Sequence, residues 1–258
     1  MRDPVRVLGA LVDPVTRAEA VRRVGEFIES GGPHLVVTAD ASALIIARRD
    51  AEFGEILQQA SLVTADGAGV VRALKAAGRP VPERCSGCDL IVDIAREAAG
   101  RGWSLFFLGA APGVAEAAVE NLKRQFPDLK VAGVRDGYFT DDDEVVSQVR
   151  QASPDVLLVA MGMPKQEKWF WRHRERLGAK VAMGVGGSFD VLSGAVRRAP
   201  EFYQKHGLEW LYRFACAPRK SSRKMLMLPV FAGLLIADSI RCRRGRSDWE
   251  RPVSYKHL

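Results

Sequence analysis

Asp66 is the residue whose type and setting most plainly allow chemistry. It follows an apolar run over 62–65 and precedes Gly67-Ala68-Gly69, where small residues let a substrate approach the backbone. A carboxylate there can take a proton from an attacking hydroxyl. The same spacing suits an N-cap for a helix starting near Gly67, a common use of aspartate. Gly184-Val185-Gly186-Gly187-Ser188 also follows an apolar run, and its glycines let amides face an anion, as in a phosphate-binding turn. A full G-x-G-x-x-G is missing, because Phe189 stands at its last position. Asp190 is a candidate acceptor for a uracil N–H or a ribose hydroxyl, or else a helix-surface acid. The turn from Gly109 to Gly113 is a second candidate phosphate cradle. Pro164-Lys165-Gln166-Glu167 opens a helix, and the Gln166 amide both donates and accepts, which suits sugar hydroxyls.

Other chemistries find less support. His34, His173, His206 and His257 show no metal-ligand spacing, and Asp141-Asp142-Asp143 reads as the start of an acidic helix. Cys85 and Cys88 have the CxxC spacing, but neither Cys216 nor Cys242 supplies the other half of a zinc site. They read as two ordinary thiols near a turn. No G-x-S-x-G nucleophile elbow is present. No metal is expected at the site, with arginines neutralising phosphates instead.

These residues need a frame that brings them together. Short apolar runs at 5–8, 35–38, 62–65, 104–108, 131–134, 156–160 and 181–185 alternate with helical patterns at 16–30, 113–126, 141–152 and 165–177. That alternation predicts an α/β fold: one Rossmann-like domain whose mostly parallel sheet carries helices on both faces. The runs are continuously apolar, as expected of strands buried on both sides. In such sheets ligands bind beyond the carboxyl ends of the strands. Thr38 and Asp40, Asp66, Gly109, Gln166 and Gly184 to Asp190 all fall at that edge.

The chain changes character near residue 200, so we divide it into an α/β catalytic domain, 1–200, and a basic helical appendage, 201–258. The formal charge is +7, and residues 197–246 carry 12 Lys/Arg against three acids. A helix is expected over 201–214. An apolar run over 225–237 follows, flanked by basic clusters and too short to span a bilayer that needs about 20 residues. It suits a segment lying in an anionic membrane interface, or a helix packed on the domain with a solvated basic tail. The first residues lack a secretory signal, which points to the cytoplasm. Self-association through apolar surface near the tail is compatible with the sequence.

Taken in order, several stretches resemble the WecG/TagA/CpsF glycosyltransferases, glycosyltransferase family 26. They are Thr38-Ala39-Asp40; Thr64 to Val71; Pro82 to Leu90; Phe107 to Ala110; Asp136-Gly137-Tyr138-Phe139; and Gly162 to Glu167. Gly184 to Asp190 with Gly194 and Arg198-Ala199-Pro200, then Gly207 to Arg213 and Pro218-Arg219, complete the set. The resemblance implies an inverting, metal-independent transferase at the cytoplasmic membrane face. Its donor would be a UDP-sugar and its acceptor a polyprenyl-diphosphate-linked saccharide, in cell-surface or exopolysaccharide synthesis; no nucleic-acid partner is implied. It makes Asp66 the general base and puts Thr38 and Gln166 in the catalytic pocket. It places Asp190 near the nucleotide and assigns Asp40, Arg84, Asp89, Gly109, Tyr138, Gly184, Gly186 and Gly187 to substrate binding. Arg213, Arg219 and Arg223 of the appendage would complete the site at the membrane.

One departure stands out: Asp40 occupies a position where the family usually has asparagine. It adds a charge near Asp66, with the capacity to raise the pKa of Asp66 or to mark a different sugar. Alternating β and α with glycine turns also describes nicotinamide-dependent oxidoreductases, but residues 7–12 hold one glycine only where a dinucleotide fingerprint needs three. A non-catalytic membrane adaptor using the basic tail is a second alternative, and it leaves the strand-end cluster unexplained. The resemblance is compatible with an N-acetylmannosamine-type or a glucose-type donor sugar.

Overall fold

The computed structural model describes residues 3–200, 202–203, 208–216 and 227–237. At its centre is a six-stranded sheet. The strands are β3 (His34–Ala39), β4 (Leu62–Ala65), β5 (Ser104–Gly109), β6 (Lys130–Arg135), β7 (Val156–Ala160) and β8 (Val181–Gly184). Their order is β4-β3-β8-β7-β5-β6, and every pairing is parallel. The α/β fold read from the sequence is the fold observed.

Continuous apolar runs follow from burial on both faces. In β7, Leu157 and Val159 join one core layer, while Val156, Leu158 and Ala160 join the other. The first layer is completed by α2 (Ala41–Arg49), α3 (Ala51–Gln59), α4 (Ala68–Ala76), α7 (Asp142–Ala152) and α8 (Lys165–Leu177). The second is completed by α1 (Arg17–Ser30), α5 (Gly87–Arg101), α6 (Val114–Gln125) and the short α9 (Ser188–Leu192). Helices after β3 and β7 therefore lie on one face, and those after β8 and β5 on the other. Where neighbouring strands send their chains to opposite faces, a crevice opens at their carboxyl ends.

Helix starts follow their capping residues. Thr16 caps α1 by accepting from the Glu19 amide at 3.2 Å, and Asp141 caps α7 by accepting from Asp143 and Glu144. Each such cap stabilises its helix by about 1 kcal/mol.

Two elements differ from the sequence expectation. The run at 5–8 is a strand, β1 (Val5–Val7), but it pairs antiparallel with β2 (Ala10–Val12) instead of joining the main sheet. Leu8 and Gly9 turn the hairpin with positive φ, 51° and 91°. The buried Asp13 then ties it to β4, donating its N–H to Val63 O at 2.7 Å and accepting from Val63 N at 2.8 Å. The hairpin thus covers a sheet edge that would otherwise be open. The helix expected over 201–214 is described over Glu209–Cys216, called α10 here.

A last helix, α11, covers 227–237. Met227, Leu228, Leu234 and Leu235 pack against the first core layer, and Phe231 is 3 % exposed. These positions recur at helical spacing and form one buried stripe, while Val230 and Ile236 face outward. Phe231 reaches the strand-end edge: its ring carbon lies 3.1 Å from where a Cβ on Gly69 would stand. Among the described residues, no helix is long and apolar enough to cross a membrane.

Candidate functional site

The carboxyl ends of β3, β4 and β8 converge on Gly87, in the first turn of α5. A Cβ placed there would meet Ser188 Oγ at 3.2 Å and Thr38 Oγ1 at 3.4 Å, and the Gly87 N–H faces Asp66 Oδ2 at 3.5 Å. Thr38, Asp66 and Ser188, from three separate strand ends, therefore meet around one glycine whose bare Cα leaves them room. Thr38 and Ser188 are buried, and Asp66 is half-buried.

The Asp66 side chain does not cap α4. The N-cap of that helix is Gly67, at φ 104°, with no side-chain cap hydrogen bond. The carboxylate turns instead toward the N-terminus of α5, while the Asp66 N–H donates to Ala39 O at 2.9 Å. Gly67, not Asp66, is thus the N-cap residue of α4. Asp40 does cap its helix, accepting from Ala43 N at 3.0 Å and from the Ser42 hydroxyl. Its Cβ lies 3.9 Å from where a Cβ on Gly67 would stand. Two acids, from β3 and β4, thus border the same turn.

Gln166 and Glu167 lie in the first turn of α8, 2 % and 1 % exposed. Gln166 Oε1 accepts from Gly162 N at 3.1 Å and Gly186 N at 3.0 Å, and Nε2 donates to Glu167 Oε1 at 2.7 Å. The Gln166 amide is therefore engaged on both sides by the protein. The Gly186 N–H is likewise committed to Gln166, and the Ser188 N–H to Val185 O at 3.1 Å. Burial pushes the Glu167 carboxyl up to about 7; its bond from Gln166 opposes the rise, and the charge of Asp40 adds to it. The charge of Asp40, expected to bear on Asp66, also bears on Glu167, a residue quoted in the helix-opening motif without a role.

Arg84 and Asp89 flank the site within a chain of ion pairs. Arg84 donates to both carboxylate oxygens of Glu209 on α10, one at 2.7 Å. Burial alone would lower the Arg84 pKa, but the Glu209 bonds and charge raise it, with Asp66 and Asp89 adding. Asp89 accepts from the Ser86 hydroxyl at 2.7 Å and from Arg198 at 2.6 Å. Burial would raise the Asp89 carboxyl, yet those two partners hold it below the usual carboxylate range. Asp89 thereby ties the Arg198-Ala199-Pro200 stretch to α5.

The other candidates lie at the same edge, farther along the sheet. Gly109 takes φ 119° at the end of β5, where a Cβ would stand 2.5 Å from Ala160 O. Tyr138, 77 % exposed, follows Gly137, which packs against Gly109 and Ala110. Gly184 backs onto Gln166 and Glu167, and Gly187 lies near the Asp190 carboxylate, at 3.4 Å from its own hypothetical Cβ. Arg213 lies on α10; Arg219 and Arg223 lie outside the described residues.

Cys85 and Cys88 form no disulfide, and burial pushes the Cys85 thiol up to about 12, far from the range of a reactive thiolate. Trp169 is a packing aromatic, buried against Phe139 and His173 with its N–H on Asp142 at 2.9 Å. Trp210 stands 40 % exposed on α10.

Residues 5–245 match the sequence model of the glycosyl transferase WecG/TagA/CpsF family. The chain is 36 % identical over 205 residues to an N-acetylglucosaminyldiphosphoundecaprenol N-acetyl-beta-D-mannosaminyltransferase of Bacillus spizizenii strain W23, covering 80 % of this chain and 79 % of that protein. It is 33 % identical over 229 residues to a protein of the same name from Staphylococcus aureus strain MRSA252, covering 88 % and 90 %.

Proposed function

Because this chain belongs to the WecG/TagA/CpsF family of glycosyl transferases, we propose that it moves a hexose-type sugar from a UDP-sugar onto a polyprenyl-diphosphate-linked saccharide. The acceptor class is carried by the names of its relatives, which act on an N-acetylglucosaminyl-diphosphoundecaprenol. The single observation that carries the placement of the chemistry is the convergence of Thr38, Asp66 and Ser188 around Gly87 at the strand ends.

In the proposed mechanism Asp66 accepts the proton of the acceptor hydroxyl as that oxygen attacks the anomeric carbon. The bond from the anomeric carbon to the UDP oxygen breaks in the same displacement, with inversion. Asp66 suits this role because its carboxylate is half-buried and faces the Gly87 N–H at the strand-end edge. Negative charge builds on the departing β-phosphate, and nearby cations lower the barrier by stabilising it. Arg84 beside the crevice and the appendage residues Arg213, Arg219 and Arg223 are the proposed cations, with no metal required. Asp190 is the proposed nucleotide acceptor, and the proposed place of action is the membrane surface reached by the basic tail.

Calorimetric binding of UDP with EDTA present tests this directly. Binding that persists in EDTA and weakens about tenfold in Asp190→Ala is expected, the loss of one hydrogen bond to a charged group. No UDP binding, with or without vesicles of anionic lipid, would sink the proposal.

A further inference from the structure

Glu167 has no part in that mechanism, yet it is the costliest group at the edge. It is an acid 1 % exposed, and among the described residues nothing donates to its Oε2. A leucine would fill such a place without the penalty of burying a carboxyl. What Glu167 supplies instead is an acceptor, Oε1, at 2.7 Å from the Gln166 amide nitrogen.

That acceptor decides which way the Gln166 amide points. With Nε2 on Glu167, Oε1 faces two backbone donors: Gly162 N in the loop after β7 and Gly186 N in the loop after β8. A flipped amide would turn its NH2 toward both N–H groups, lose all three bonds, and set two oxygens against each other. A side chain without preference would let the two loops part. We propose that Glu167 is a positioning residue: by fixing the orientation of Gln166 it clamps the loops after β7 and β8 into one arrangement that receives the donor.

Three further observations agree. Gly184 has no side chain at the one point where a Cβ would stand 2.5 Å from both Gln166 Nε2 and Glu167 Oε1, so β8 is shaped to admit the pair. Both residues sit in the first turn of α8, an element anchored in the core through Trp169 and Phe170, so the clamp is rigidly mounted. Glu167 is too enclosed to touch a substrate, which separates its role from that of Asp66. Of the charged groups on neighbouring elements, Asp40 on α2 acts on it. Asp50 and Glu52 around α3 are paired with Lys168, Asp142 of α7 with His173, and β3 and β8 carry no charged residue at this end.

The purpose of the clamp rests on the donor-site proposal, whereas its existence rests on geometry alone, and the experiment keeps the two apart. Amide exchange in the full chain, read by NMR, and UDP binding are compared for wild type, Glu167→Gln and Glu167→Leu. The leucine variant should exchange Gly162 and Gly186 at least tenfold faster with β5 amides unchanged, and bind UDP about tenfold more weakly. The glutamine variant, whose carbonyl still accepts from Gln166, should stay within threefold of wild type in both. Should the leucine variant fail to fold, Gln166→Met removes the acceptor carbonyl instead and should give the same local exchange. Protected glycine amides in the variant lacking the acceptor, or equal behaviour of the glutamine and leucine variants, would overturn the clamp. Fast exchange confined to the two glycines, with no UDP binding even in wild type, would overturn the donor proposal and leave the clamp standing.

Discussion

Two carboxyls at one edge sit in different surroundings. Asp66 is half-buried against an amide, whereas Glu167 is enclosed and pushed from 4.5 to about 7. A carboxyl with a raised folded pKa keeps its proton in the native chain after the unfolded chain has lost it. Between about pH 4.5 and 7 the native state therefore binds more protons, and stability falls as pH rises. The full penalty above that window is about 3 kcal/mol. Glu167→Gln removes the titration, so its stability advantage over wild type should grow by about 3 kcal/mol from pH 4 to pH 8 in denaturant melts; parallel curves would contradict this. Asp66→Asn, on the proposed mechanism, should lower turnover by about 10²–10⁴-fold. UDP affinity should stay within about threefold, since the amide keeps the shape of the pocket and loses only the base. A variant as active as wild type would remove Asp66 from the chemistry.

The elements meet at the site through missing side chains as much as through those present. Gly184 closes β8 directly against the buried Gln166–Glu167 pair. Gly184→Ala forces those side chains or the strand to move, because a Cβ 2.5 Å from two polar atoms is not tolerated. A destabilisation of about 2 kcal/mol is expected in thermal or denaturant unfolding, in the range of overpacked cores. UDP binding should weaken with it. By contrast Gly162, Gly113 and Gly78 have nothing within 4 Å of a Cβ, and are kept glycine by positive φ alone. A Gly184→Ala variant with wild-type stability would show that the α8 pair has room to yield.

At the scale of the molecule, charge and apolar surface are segregated. The +7 formal charge is concentrated in the sequence after residue 196, on both sides of the 227–237 stretch, whose helix buries Phe231 beside Gly69 and turns Val230 and Ile236 outward. A basic segment next to outward apolar residues suits an anionic lipid surface, each nearby cation contributing about 1 kcal/mol. Co-sedimentation with vesicles containing anionic lipid should be strong at about 0.1 M salt and fall several-fold at about 0.5 M, as screening tightens. Vesicles of zwitterionic lipid should bind much less. Equal binding to both would leave apolar insertion, without charge, as the basis of any membrane contact.

The sequence by itself determined the sheet and its polar edge. Continuous apolar runs, as in Val156–Ala160, have one stable outcome, a strand covered on both faces, and the polar residues ending each run must then gather at one edge. Ordered motifs also reached the family. What the tertiary structure alone decided were relations between elements. Residues 5–12 read as strand, but only contact with β4 made them an edge-covering hairpin. Asp66 before Gly67 also fitted a cap, and only the start of α5, 21 residues away in sequence, shows where its carboxylate turns. Glu167 was in view as the last letter of a helix-opening motif, but nothing local separates a surface glutamate from a buried one. Its burial comes from β8 arriving with a glycine at the facing position, and no local pattern encodes that encounter.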